Sequence, residues 1–136
     1  MMAWTTPKTD WINGEHFNLD PDYNRIKGNV EYLVALSKVL YPDYKSIDME
    51  SAELNGFPKV SFFNNVVNAT GEILKNCYSP VGAKPMKSYV SNGIVWNATE
   101  LNAIENNHLL LYNALTKQKA VISRLQITLG GVRIGN

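Results

Sequence analysis

Asn92-Gly93-Ile94-Val95-Trp96-Asn97-Ala98-Thr99-Glu100-Leu101-Asn102-Ala103-Ile104 is the stretch on which the fold turns. It holds, in order, a turn dipeptide, an aromatic residue, a capping residue, and then large apolar, Asn, any residue, Ile. The order recurs twice upstream. One copy runs Asn13-Gly14, Phe17 and Tyr23-Asn24-Arg25-Ile26; the other, looser, runs Asn55-Gly56, Phe57 and Phe63-Asn64-Asn65-Val66. The central asparagines, Asn24, Asn64 and Asn102, stand 40 and 38 residues apart, and the first and third copies also share Asn29 and Asn107. A repeat of that length is one supersecondary unit.

Each copy reads as a turn followed by a capped, amphipathic helix. Asn-Gly favours a tight turn because glycine adopts positive φ at no steric cost. Asn97 with Glu100 fits a capping box. Asp20 can cap the first helix, with Pro21 at its first position, where a missing N–H is harmless, and Asp22 adding negative charge to the first turn. Apolar residues then recur at spacings of three and four. From Asp20 to Tyr41 they are Tyr23, Ile26, Val30, Leu33 and Leu40, with Pro42 closing the run. From Pro58 to about Lys75 they are Val60, Phe63, Val67 and Leu74, with Gly71 as a weak point. From Ala98 to about Arg124 they are Leu101, Ile104, His108, Leu111 and Leu115. Ser46 to Leu54 is compatible with a short helix, and Ser79 to Val90, with Pro80, Gly82 and Pro85, reads as an ordered loop. Three such stripes bury against one another as a bundle.

The two ends differ from the body. From Gln126 the period changes to alternation: Ile127 and Leu129 precede Gly130-Gly131, and Val132 and Ile134 follow, which signals a β-hairpin. A ribbon that short is marginal alone and needs a surface to lie on. The leader carries Trp4 and Trp11 among polar residues, an arrangement that suggests docking. Trp4, Trp11, Ile127, Leu129, Val132 and Ile134 are therefore the expected partner contacts. The expected organisation is a single mainly α domain over 1–136: an extended lead at 1–19, a three-helix bundle-like body of three degenerate repeats at 20–125, and a short C-terminal β-hairpin at 126–136.

Composition narrows function without naming a reaction. The chain has 136 residues, 13 Lys+Arg against 12 Asp+Glu and a net charge of +1, so there is no basic surplus for nucleic acid. At 45% hydrophobic and 18% charged it can build a core. No apolar run approaches the roughly 20 residues of a membrane span, and Met1 to Asp10 lack a signal-peptide layout. A single cysteine, Cys77, excludes an internal disulfide and any cysteine-rich zinc site; it reads as a structural thiol. His16 and His108 lack metal-ligand spacing, and His108 falls on a helix stripe. There is no nucleophile elbow and no phosphate loop. Asn68-Ala69-Thr70 and Asn97-Ala98-Thr99 match the glycosylation sequon but fall in helices or caps. No catalytic, cofactor-binding or metal residues are expected. The sixteen asparagines exceed ordinary usage and fit either helix ends and turns or polar positions within helix contacts.

The block Lys8-Thr9-Asp10-Trp11-Ile12-Asn13-Gly14-Glu15-His16-Phe17-Asn18-Leu19-Asp20-Pro21-Asp22-Tyr23-Asn24-Arg25-Ile26 resembles an opening found in structural proteins of bacteriophage tails and related particles. Trp96-Asn97-Ala98-Thr99-Glu100-Leu101-Asn102-Ala103-Ile104-Glu105 resembles a second instance. The resemblance covers two short blocks, and this chain has no room for the long fibre that often follows. It implies a non-enzymatic virion component made in the bacterial cytoplasm. Such a component would be a baseplate, tail or fibre-adaptor protein that binds other tail proteins and copies of itself as a homo-oligomer, without cofactor, nucleic acid or membrane. A small cytoplasmic helical binding or regulatory module is the alternative. An enzyme using His16, His108 and carboxylates is a third.

Overall fold

The computed structural model of the chain describes residues 4–45, 60–86 and 97–129. Three helices carry the fold: α1 (Asn24–Leu40), α2 (Val60–Asn76) and α3 (Ala98–Leu129). No strand occurs among the described residues.

All three helices run the same way. One core cluster joins the first halves of the three helices: Tyr23, Ile26 and Val30 beside Phe63, Val66 and Val67 beside Leu101 and Ile104. The other joins their second halves, Leu33 and Leu36 with Ile73 and with Leu111 and Leu115. Repeat-equivalent residues fall at matching depths. Tyr23, Phe63 and Leu101 start the series; three residues on come Ile26, Val66 and Ile104, and ten on Leu33, Ile73 and Leu111. All nine are less than 5% exposed. The repeat is thus three parallel helices in register, each contributing a 3-4 spaced seam to a shared axis. Tyr23 and Phe63 meet edge to face, with ring centroids 6.2 Å apart, the offset that aromatic quadrupoles favour.

Parallel helices force the chain to return between them, and two of the extended segments are described. The lead from Trp4 to Asn18 descends along α1 and α3. Thr5 meets Asn29, Lys8 meets Glu105, and Trp11 meets Asn102 at the start of α3. Asn13-Gly14 then turns the chain as expected, with Gly14 at φ 92° and the Glu15 N–H donating to the Ile12 carbonyl. The segment after α2 descends along α3 in the same sense: Gly82 lies by Leu110, and Lys84 meets Asn107.

The helix ends follow the sequence in part. Asn97 Oδ1 accepts the Glu100 N–H at 2.9 Å, the expected cap of α3. At α1 the carboxylate that works is Asp22, not Asp20. Asp20 is extended (φ −126°, ψ 121°) and follows the expected geometry of a residue outside the helix, but its side chain is exposed. Asp22 instead accepts the Asn18 N–H at 3.0 Å and an Arg25 N–H at 3.1 Å. The peptide Asp20–Pro21 is cis.

The expected C-terminal hairpin is corrected over its first arm. α3 runs through Leu129, so Gln126–Leu129 are helical rather than strand. The physical reason is that the 3-4 spacing of Leu111, Leu115, Gln118, Ile122, Leu125 and Leu129 continues the seam unbroken, and this outlasts the local alternation. Gly130, Gly131, Val132 and Ile134 lie outside the described residues, as do the proposed Ser46–Leu54 helix and the Asn-Gly turns of the second and third copies.

Candidate functional site

The densest polar site is a carboxylate inside the bundle. Glu105 lies about two turns into α3 and is fully buried. Its Oε1 accepts the Lys8 N–H at 3.0 Å and Arg25 Nε–H at 2.9 Å; its Oε2 accepts the Trp11 indole N–H at 2.7 Å and an Arg25 Nη2–H at 2.9 Å. Arg25 thus grips it bidentately and carries on to Asp22. Burial opposes the Arg25 charge, yet the hydrogen bonds and charges of Glu105 and Asp22 hold its pKa above the ordinary value. Four donors fill the lone-pair sites of a carboxylate. Glu105 therefore has no free face for a metal or a substrate. It welds the lead, α1 and α3 together.

Three asparagines complete the arrangement, each acting as a backbone clamp. Asn29 accepts the Thr5 N–H at 2.9 Å and donates to the Thr5 carbonyl at 2.8 Å. Asn102 does the same to Trp11 at 2.7 and 2.9 Å, and Asn107 to Lys84 at 2.8 and 2.8 Å. Each amide presents the donor–acceptor pair that a neighbouring strand would, so extended backbone is satisfied against a helix that has no peptide groups to spare. Asn29 and Asn107 are repeat equivalents, and their targets lie 24 and 23 residues upstream. In the first and third copies the helix therefore holds its own strap. Sequence reading found these asparagines and left open whether they punctuate element ends or serve as polar positions within helix contacts; the structure places these three in the second role. The signal that would have separated them is their place beside an apolar seam rather than at a helix end.

Both tryptophans expected to meet a partner are used within the chain. Trp11 is 5% exposed, held through its indole N–H by Glu105 and covered by the Lys8 ammonium 5.0 Å from its ring centroid. Trp4 stacks on Tyr112 at 4.1 Å and 5°, with Tyr32 at 5.8 Å. The bundle buries Trp11 and covers Trp4 in part. Of the other expected contacts, Ile127 and Leu129 lie on the last turn of α3, and Val132 and Ile134 lie outside the described residues.

The remaining chemical groups are dispersed. His16 is exposed, whereas His108 is fully buried beside Thr70, whose Oγ1 is 2.9 Å from Nε2. Nδ1 has no partner. The tautomer in which Nε2–H donates to Thr70 leaves only a lone pair unsatisfied there. Desolvation pushes the His108 pKa down to about 3. Cys77 is half-buried; burial pushes its thiol up, opposed by Ser37, which makes it a poor nucleophile. Among the described residues no group of His, Cys, Asp and Glu could hold a metal ion, and no helix is long and apolar enough to cross a membrane.

No known protein family matches the chain, and neither the curated proteins nor the solved structures compared with it gave a match.

Glu105→Gln is expected to destabilise the fold by about 3 kcal/mol in denaturant unfolding, because it leaves Arg25 short of its main counter-charge in a dry site. Glu31→Gln, which breaks the more exposed Lys27–Glu31 pair, is expected to change stability by less than about 0.5 kcal/mol. Asn102→Ala should cost about 1–3 kcal/mol by stranding the Trp11 peptide groups, and should open the lead to proteolysis before the helices. Asn24→Ala, at an exposed repeat position, serves as the control. Buried neutral His108 binds fewer protons in the fold than in the unfolded chain between its ordinary pKa of 6.5 and about 3. Its contribution is thus present at neutral pH and lost as pH falls through that window. From about pH 7 to about pH 4.5 it removes about 2–3 kcal/mol. The double variant His108→Leu with Thr70→Val, which removes both partners, should show a correspondingly flatter stability profile.

Proposed function

We propose that the chain is a structural component of a phage virion or phage-tail-like particle, a baseplate, tail or fibre-adaptor protein that acts by multicopy assembly and not by turnover. The observation that carries this reading is that the two blocks resembling tail-protein openings are architectural. Lys8 to Ile26 is the strap, turn and helix start, and the described part of the second block, Asn97 to Glu105, is the α3 start that holds it. Supporting it, the one fully buried acid among the described residues is saturated by structural donors, and a helix that outruns its bundle carries exposed Val121, Ile122 and Leu125. The expected neighbours are other tail proteins and further copies of the chain.

One observation favours the second reading, a small cytoplasmic helical binding or regulatory module. Trp4 and Trp11 are already docked, so the lead does not need a partner to cover it.

The two readings separate on where the protein is found. Peptide mass spectrometry of gradient-purified particles from the cells that encode the chain is expected to detect it in fixed ratio to the tail proteins. Its absence from particles, with the protein recovered only in the soluble fraction, overturns the virion reading.

A further inference from the structure

α1 and α2 are 17 residues each, whereas α3 is 32. At 1.5 Å per residue, α3 is about 48 Å long against about 26 Å for its neighbours. Its seam is buried at Leu101, Ile104, His108, Leu111 and Leu115. Cover ends near Gln118, whose Oε1 accepts the Tyr41 hydroxyl just past the end of α1. The same 3-4 spacing continues beyond it through Ile122, Leu125 and Leu129. There Val121, Ile122 and Leu125 are 43%, 43% and 53% exposed.

We propose that this projecting segment of α3 pairs with the same segment of a second copy of the chain, running antiparallel to it. The proposal deepens the assembly reading by naming one surface, and rests on it for the occupant being another copy.

Three observations fit that occupant and set its direction. The first is continuity: the projecting residues extend a seam that already packs helix against helix, so a helix is the shape they fit. The second is space. The seam faces α1 and α2 over the first half of α3. A parallel second helix would run into them, whereas an antiparallel one leaves past the open end, and its own bundle sits beyond the tip of the first. The contact is then isologous, as closed pairs are.

The third is charge. No Asp or Glu follows Glu105, while Lys117, Lys119 and Arg124 lie along the projection. In the antiparallel register that places Ile122 against Leu125 of the second copy, Lys119 meets no charged position, since no Lys or Arg lies between 125 and 129. Lys117 and Arg124 fall at outer positions, so no two cations are opposed. The negative end of the second copy's helix then arrives beside Lys117 and Lys119, where cations stabilise it. A groove of about 440 Å³ at that level, lined by Tyr78, Ala114, Lys117, Gln118, Val121 and Ile122, receives the tip.

An overlap of some twelve residues is about 18 Å of helix, at the low end of specific interfaces. The pair is therefore concentration-dependent in isolation.

Sedimentation equilibrium of the full chain from about 10 μM to about 1 mM, the micromolar-to-millimolar range of weak complexes, tests it. The mass is expected to rise from one chain toward two. Ile122→Glu with Leu125→Glu should hold it at one chain with unchanged helical circular dichroism, because both sites are exposed. Direction is read by cross-linking in a Cys77→Ser background. Ile122→Cys chains mixed with Leu125→Cys chains should form the mixed disulfide, while each alone should link poorly to itself. A wild-type monomer at the top concentration, association that survives the double substitution, or self-linking in place of mixed linking overturns the proposal. A monomer that still enters particles overturns this surface and leaves the virion reading standing. A dimer that never enters particles does the reverse.

Discussion

Three helices that all run the same way oblige the chain to travel back along the bundle before each new helix can start. That obligation shapes most of what surrounds the helices. A returning segment is extended backbone with peptide groups on both sides, laid over helices whose own peptide groups are already paired. Water cannot serve where the segment is covered, and no strand occurs among the described residues. The chain solves the problem with side-chain amides: Asn29, Asn102 and Asn107 each offer an acceptor and a donor at the separation a peptide needs. Glu105 performs a related task with charge, taking the Lys8 N–H and the Trp11 indole on a carboxylate that Arg25 neutralises.

The two described straps show how repetition and divergence divide the labour. Both are held by an asparagine at the same place in the repeat, Asn29 in α1 and Asn107 in α3. At the equivalent place in α2 stands Ala69, fully buried in the core cluster. The lead carries additional anchors that the second strap does not copy: Trp4 on Tyr112, Trp11 on Glu105, and Phe17 against Phe63 at 6.0 Å. Aromatic packing of this kind adds apolar burial to polar pairing. The lead is thereby part of the fold, so the tryptophans cannot reach a partner without first giving up contacts that hold the bundle.

Much of the architecture was legible in the sequence because seam residues obey a simple period. The stripes at Tyr23, Ile26 and Val30, and at Leu101, Ile104 and Leu111, specify helices, and the repeat specifies that there are three. Their common direction was not legible, since a 3-4 stripe reads the same whichever way a neighbour runs. The site was half legible. Asn29, Asn102 and Asn107 stood out as repeated residues, but an amide that caps a helix and one that clamps a distant strand look alike in one dimension; the partners lie 24, 91 and 23 residues away. Glu105 gave no signal, because nothing local distinguishes a buried acid from the solvated acids around it. The tail was misread for a physical reason: Gln126 to Leu129 fit both a period of two and a period near three and a half, and a helix already propagating extends at far lower cost than a two-stranded ribbon nucleates.

The polar residues along the bundle axis argue that register, and not burial alone, is specified. Seven residues beyond the starting Tyr23, Phe63 and Leu101 lie Val30, Thr70 and His108, of which Thr70 and His108 are hydrogen-bonded to each other. Seven further on lie Ser37, Cys77 and Leu115. Sliding one helix by a single heptad would leave most apolar contacts apolar, because the seams are similar along their length. It would also part Thr70 from His108 and strand a hydroxyl and an imidazole in a dry core, at about 1–3 kcal/mol for each unsatisfied group. A buried polar pair of this sort contributes less stability than an apolar one of equal volume but separates the native register from its neighbours. In register, α1 and α2 stop at nearly the same level and α3 alone continues. The exposure of Ile122 and Leu125 is therefore fixed by the same contacts that order the core.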